Sequence, residues 1–139
     1  MPASTYLGNA LLNHVLRGVA YTAPTGVYVS LHTADPGLTG ANEVSTGSWP
    51  AYAREEAAQG GALADAFAAA SAKATENANE ILWAANDGAG SVIVTHVGLW
   101  DAASGGNFLF GAALAAPKTV AVTDEIKFAV GQLDITVDP

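Results

Sequence analysis

Apolar residues at Leu7, Leu11, Leu12, Val15 and Leu16 recur at the three-to-four spacing of one helical face. Ser4 or Thr5 can cap the start, and Gly18 stops the pattern, which predicts a helix over about residues 4–17. From Val27 the period changes to two. Val27, Val29 and Leu31 alternate with Tyr28, Ser30 and His32, as a strand with one buried and one open face requires. Turn chemistry bounds that strand, "APTG" before it and "ADPG" after it. Residues 38–50, rich in Gly, Ser, Thr and Asn, predict a long exposed loop anchored by Trp49.

The middle of the chain gives two answers. "ADAFAAASAKATENANEILWAA" is dense in good helix formers, yet its apolar positions hold no clean helical stripe and it ends in the strand-like Ile81-Leu82-Trp83. A helix and a pair of strands both stay open for residues 55–79. From Val92 the pattern is β throughout. Val92, Val94 and His96 alternate with Ile93, Thr95 and Val97, and "NFLFGAAL", "EIKFAV" and "LDITVD" follow as short strands. "APKTVAVTDE" reads as a connection ending in a turn at Thr123–Asp124. Short strands separated by turn residues predict a mainly β fold, an antiparallel β-sandwich over about residues 26–138 with one N-terminal α-helix. At 139 residues, the chain is expected to form a single domain, 1–139.

Composition narrows the function. No apolar run approaches the roughly eighteen residues of a membrane helix. "MPASTYLGNALLNH" lacks the basic and long apolar regions of an export signal, so a soluble chain without an export address is expected. Five bases against thirteen acids give a net charge of −8. The bases, Arg17, Arg54, Lys73, Lys118 and Lys127, are scattered, which argues against nucleic acid as a partner. Charged residues make up only 13% of the chain. A surface of Ala, Gly, Ser and Thr suits packing against copies of the same chain or a larger assembly. The absence of cysteine excludes disulfides, thiol nucleophiles and most structural zinc sites.

Candidate chemistry is sparse. His14, His32 and His96 form no H-x-H or H-E-x-x-H pair, so no metal is expected from them. Asp101, Ser104 and Asn107 offer oxygen ligands around two glycines, but one carboxylate and no closing acid make a turn rather than a calcium loop. Glu55 and Glu56 would point to opposite faces of a strand, not into one cleft. "GAG" at 88–90 precedes a strand, and no G-x-S-x-G elbow occurs. No catalytic residue, cofactor or metal is expected. Trp49, Trp83 and Trp100, with Tyr52, Phe67, Phe108, Phe110 and Phe128, predict an aromatic core, with one or two rings outside it serving an interface or a sugar-stacking site. The residues expected at an interface are Trp49, Trp100, Asp101 and Asn107.

"YLGNALLNHVLRGVAYTAPTGVYVSLHTADPG", followed by "THVGLWDAASGGNFLFGAALAAPKTVAVTDEIKFAVGQLDITVD", resembles a family of small tailed-bacteriophage proteins usually labelled tail fibre proteins. The likeness covers the first helix, the strand ending in "TADPG", the "HVGLWDAASGGN" hairpin and the "PKTV" connection. It fades from Glu55 to Asn79, where the family pattern is strand–loop–strand opened by "YAR" and this chain is richer in Ala. The resemblance implies no catalytic residues. It implies a structural virion protein, a capsid decoration or tail-fibre-type part, with copies of itself (a trimer being one form) and capsid or tail proteins as partners. The alternative from another class is a carbohydrate-binding module that recognises the host. A hydrolase, which would need the histidines or acids to converge in a cleft, ranks below both.

Overall fold

The computed structural model describes residues 1–137. Helix α1, Thr5–Arg17, starts where Ser4 accepts a hydrogen bond from the Leu7 amide and ends at Gly18, whose φ of 68° is left-handed. Eight strands follow: β1 Tyr28–His32, β2 Glu55–Glu56, β3 Ala74–Glu76, β4 Ile81–Leu82, β5 Val92–Trp100, β6 Phe108–Val120, β7 Lys127–Phe128 and β8 Asp134–Thr136. The order β2-β1-β5-β6 makes one four-stranded sheet, and β3-β8 and β4-β7 make two ribbons. Every pairing is antiparallel. The fold is therefore mainly β, with a single N-terminal helix.

One apolar core joins the sheet to both ribbons. Val29, Leu31, Val97 and Leu99 point into it from β1 and β5, and Ile81, Phe128 and Ile135 enter from the ribbons. Trp83 meets Phe128 edge to face at 5.7 Å between ring centroids. β6 runs longer than the expected strand, because "APKTV" continues its pairing with β5 instead of leaving the sheet. Pro117 is tolerated there because β6 lies at the sheet edge and its register with β5 shifts between Val94 and His96. The turn at Thr123–Asp124 forms as the residues suggest, with the Asp124 amide on the Ala121 carbonyl at 2.9 Å.

Two expectations change. The loop 38–50 is only partly exposed, since Val44 and Trp49 are buried. Its anchor is the Trp49 indole, which donates to the Ala85 carbonyl at 3.2 Å. The open face of β1 is closed as well: Ser30 and His32 are both 0% exposed.

The middle segment settles the open choice for strands: it forms no α-helix and holds the two short strands β2 and β3. β2 pairs with β1, β3 pairs with β8, and a 3-10 turn at Leu63–Asp65 lies between them. Buried Asn77 and half-buried Asn79 explain why helix propensity loses. Asn77 donates to the Asn79 and Ala129 carbonyls at 2.7 and 2.9 Å, and its Oδ1 accepts from the Leu133 amide at 2.8 Å. Asn79 donates to the Ala57 and Asp65 carbonyls at 3.0 and 2.8 Å. These side chains satisfy backbone groups that an irregular path would otherwise bury unpaired.

Asn77→Leu keeps a branched side chain but strips the Leu133 amide and the Asn79 carbonyl of their partners, while the Ala129 carbonyl keeps the Gln132 amide. A loss of about 3 kcal/mol in urea unfolding is expected. A loss below about 1 kcal/mol would show that those groups find other partners.

Candidate functional site

The face of the sheet turned away from the main core carries Ser30, His32, Gly98, Trp100 and Phe108. Ser30 opposes Gly98, which opposes Gly111. This glycine row makes space: a Cβ on Gly98 would sit 2.7 Å from His32, Phe108 and Ser30 atoms, and one on Gly111 2.7 Å from Phe108. Phe108 packs into that space, edge to face on Trp100 at 5.1 Å and on His32 at 6.1 Å.

A directed hydrogen-bond chain runs through this layer. The Ala41 carbonyl, 2.7 Å from His32 Nδ1, can only accept, so the imidazole proton lies on Nδ1. His32 Nε2 then accepts from the Ser30 hydroxyl at 2.7 Å, and Ser30 Oγ accepts from Trp100 Nε1 at 2.9 Å. A serine this close to a histidine has the spacing of a nucleophile and its base. Both residues are sealed from solvent, however, so no substrate reaches them. Burial lowers the His32 pKa, with Arg54 and His96 adding to the effect, while the Ala41 carbonyl and Glu43 oppose it.

Arg54, just before β2, closes the layer. Its guanidinium grips Glu43 at 2.9 and 2.8 Å through two nitrogens and lies 3.6 Å over the Trp100 ring. The remaining nitrogen donates to the Ala102 and Gly105 carbonyls at 3.1 and 2.8 Å. Tyr52 donates to the same Glu43 at 3.0 Å and accepts from the Leu31 amide at 3.0 Å, and burial raises its phenol pKa. The loop between β5 and β6 is thus clamped from outside by Arg54. It is clamped from inside by Asp101, whose two oxygens accept from the amide and side chain of Asn107 at 2.6 and 2.8 Å. Gly105 and Gly106, at φ 62° and 71°, supply the left-handed turn. Residues 103–106 form an exposed, preorganised tip.

The second exposed feature is α1. Of the apolar stripe on its one face, Leu7 alone is buried; Leu12, Val15 and Leu16 are 59%, 73% and 74% exposed. Ser4 accounts for this. Its amide donates to the Leu109 carbonyl at 2.8 Å and its hydroxyl to the Phe108 carbonyl, so the helix is held at its first turn. β6 is the one element that α1 touches among the described residues. The later turns project from the body with their apolar face uncovered.

The residues singled out in the sequence divide accordingly. Trp49 and Trp100, at 0% and 8% exposed, present no ring to a partner; they hold loops in place. Trp83 is buried too, so no tryptophan offers a sugar-stacking platform. Asp101 and Asn107 shape the tip. His32 and His96 do come together, as cross-strand partners, but both His32 nitrogens are committed and His14 lies on the projecting helix. The described residues hold no group of three metal-ligating side chains. Glu55 is half-buried in β2, and burial raises its pKa.

Arg54 is the residue that sequence reasoning missed. Its partners lie as far as 51 residues away, so no local spacing points to it.

Residues 2–136 match the family model described as Podophage GP4 fiber I protein gp80. The chain belongs to this podophage fibre family. No curated protein matches it. Membership over nearly the whole chain makes it a structural protein of the bacteriophage virion that associates with other virion components. Among the described residues of this fibre-family protein, no helix is long and apolar enough to cross a membrane.

Two measurements probe the clamp. Arg54→Ala leaves the partly exposed Glu43 with Tyr52 as its remaining hydrogen-bond donor, and is expected to cost about 1–3 kcal/mol. It should also speed amide exchange at residues 102–106, and Arg54→Lys, lacking the planar fork, should not restore protection.

His32 gives a pH dependence of known sign. Its folded pKa lies below the ordinary 6.5, so between the two values the unfolded chain binds more protons. The contribution from keeping His32 neutral is complete above about pH 6.5 and fades as the pH falls toward the folded value. An NMR titration should find His32 still neutral at pH 6.5; half-protonation at or above that pH contradicts the assignment.

Proposed function

We propose that the chain is a non-enzymatic, tail-fibre-type part on the outside of the particle, present in several copies that associate through their exposed surfaces. The observation that carries this reading is the match of residues 2–136 to a fibre family. The surface supports it. The Ser–His pair is sealed, while the projecting helix and the clamped loop tip offer contact areas without a catalytic cleft. Asp101 and Asn107 serve such contacts indirectly, by holding the tip in one shape. Weak contacts repeated around a symmetric assembly add up through effective concentration, so no single tight site is required. A host-glycan module is less well supported, since all three tryptophans are buried.

Quantitative mass spectrometry of purified particles, together with immunogold labelling, tests the placement. Few copies with label on the tail are expected. A copy number matching the capsid lattice, with label on the shell, would make the protein a capsid decoration. Absence from the particle would end the virion reading.

A further inference from the structure

The body of the molecule carries an unfilled apolar groove of about 360 Å³, walled by Val27, Phe67, Ala70, Leu99, Phe110 and Ile135. We propose that the projecting α1 of one copy docks in this groove on the next copy, a head-to-tail contact. The inference rests on the self-associating virion reading above and names the surfaces that would associate.

Three observations select a second copy as the occupant. The first is the chemistry of the walls. A cleft for a small polar ligand places several free polar groups among its apolar ones. Here Thr75 already donates to the Ala68 carbonyl at 2.6 Å, and Lys73 at the edge is the one charged lining residue. An aliphatic surface fits such walls, and α1 presents one in Leu11, Leu12, Val15 and Leu16.

The second is charge. Residues 1–34 contain no acid and one base, Arg17, whereas all thirteen acids and the other four bases lie beyond them. Within that stretch the projecting α1 arm carries the one base and no acid, β1 belongs to the body, and the body as a whole is strongly negative. Arm against body is therefore attractive, while body against body is repulsive.

The third is area. Four exposed aliphatic side chains on one short helix make a single patch, on the order of the few hundred Å² of the largest patches on ordinary monomers. A stable interface needs about 800 Å² per partner. Helix-to-helix pairing would use that patch once and leave the groove empty. In a head-to-tail arrangement each copy gives its helix to one neighbour and its groove to another.

The geometry allows this. The groove opens beside the root of the copy's own helix, because Phe110 in its wall pairs with Ala3, and Leu109, also in the wall, accepts from the Ser4 amide. The helix leaves that root and, among the described residues, touches no element but β6. A contact between unlike surfaces closes into a ring where the rotation permits and otherwise extends as a filament.

The absence of cysteine makes a clean cross-linking test possible. Val15 and Ala70 are both exposed, so Val15→Cys and Ala70→Cys should fold as the parent does. Under mild oxidation, equimolar Val15→Cys and Ala70→Cys chains are expected to form a mixed disulfide dimer, with little dimer from either alone. Dimers of Val15→Cys with itself at comparable yield would show helix pairing with helix and overturn the proposal. No cross-link in any combination would overturn it too.

Light scattering supplies the independent arm. The parent chain should assemble, whereas Leu12→Glu with Val15→Glu, and Ala70→Trp, should each be monomeric. Their equimolar mixture should stop at a heterodimer, joined through the one intact helix and the one intact groove. An Ala70→Trp chain that assembles like the parent would exclude the groove. These results concern the contact alone. Whether the protein belongs to the particle is decided by the copy count, so the two ideas fail separately.

Discussion

The outer layer of this molecule depends on one buried guanidinium. Arg54 sits between the Glu43 carboxylate, the Trp100 ring and two carbonyls of the β5–β6 loop. These groups come from two stretches of chain, one at Glu43 and one at residues 100–105, and the same side chain draws them over the second face of the sheet. Without that cover, Ser30 and His32 would be an ordinary polar strand face in water. With it, they must be fully hydrogen-bonded, and the chain from Trp100 through Ser30 and His32 to Ala41 provides the bonds. A buried ion pair adds little net stability by itself, since desolvation offsets attraction. Its service here is specificity, because the observed placement of Glu43 and the β5–β6 loop brings four acceptors to the guanidinium at once.

The clamped loop and the projecting helix differ in kind. The loop tip is held from both sides and enters any contact already ordered, which lowers the entropic cost of binding. The helix is fixed at its first turn by Ser4 and then leaves the body, so that among the described residues nothing covers Leu12, Val15 and Leu16. A stripe that the body does not cover costs hydrophobic stabilisation in the lone molecule. That cost makes sense in a fibre-family protein, whose working state is an assembly.

Much of this was legible from residues. The helix limits, its serine and glycine caps, the β1 alternation and the Asp101–Asn107 turn all follow from interactions within a few positions of each other. The helix stripe was legible as a stripe, but periodicity only says that one face is apolar, not what covers it. The middle segment misleads for a related reason. Its alanines favour a helix locally, while Asn77 and Asn79 find carbonyl and amide partners that only the folded chain supplies.

What the sequence determined by itself is the local grammar: where the chain turns, where it alternates, which residues can cap, and that neither thiol nor clustered base is available. The tertiary structure alone decided which faces meet. It put a cover on the polar side of β1, took Trp49 and Trp100 out of contact with solvent, gave Arg54 its task, and left Leu12, Val15 and Leu16 bare. The physical reason is range. Caps, turns and alternation depend on neighbours along the chain, whereas burial and ion pairing depend on residues that only the finished packing brings within a few ångströms.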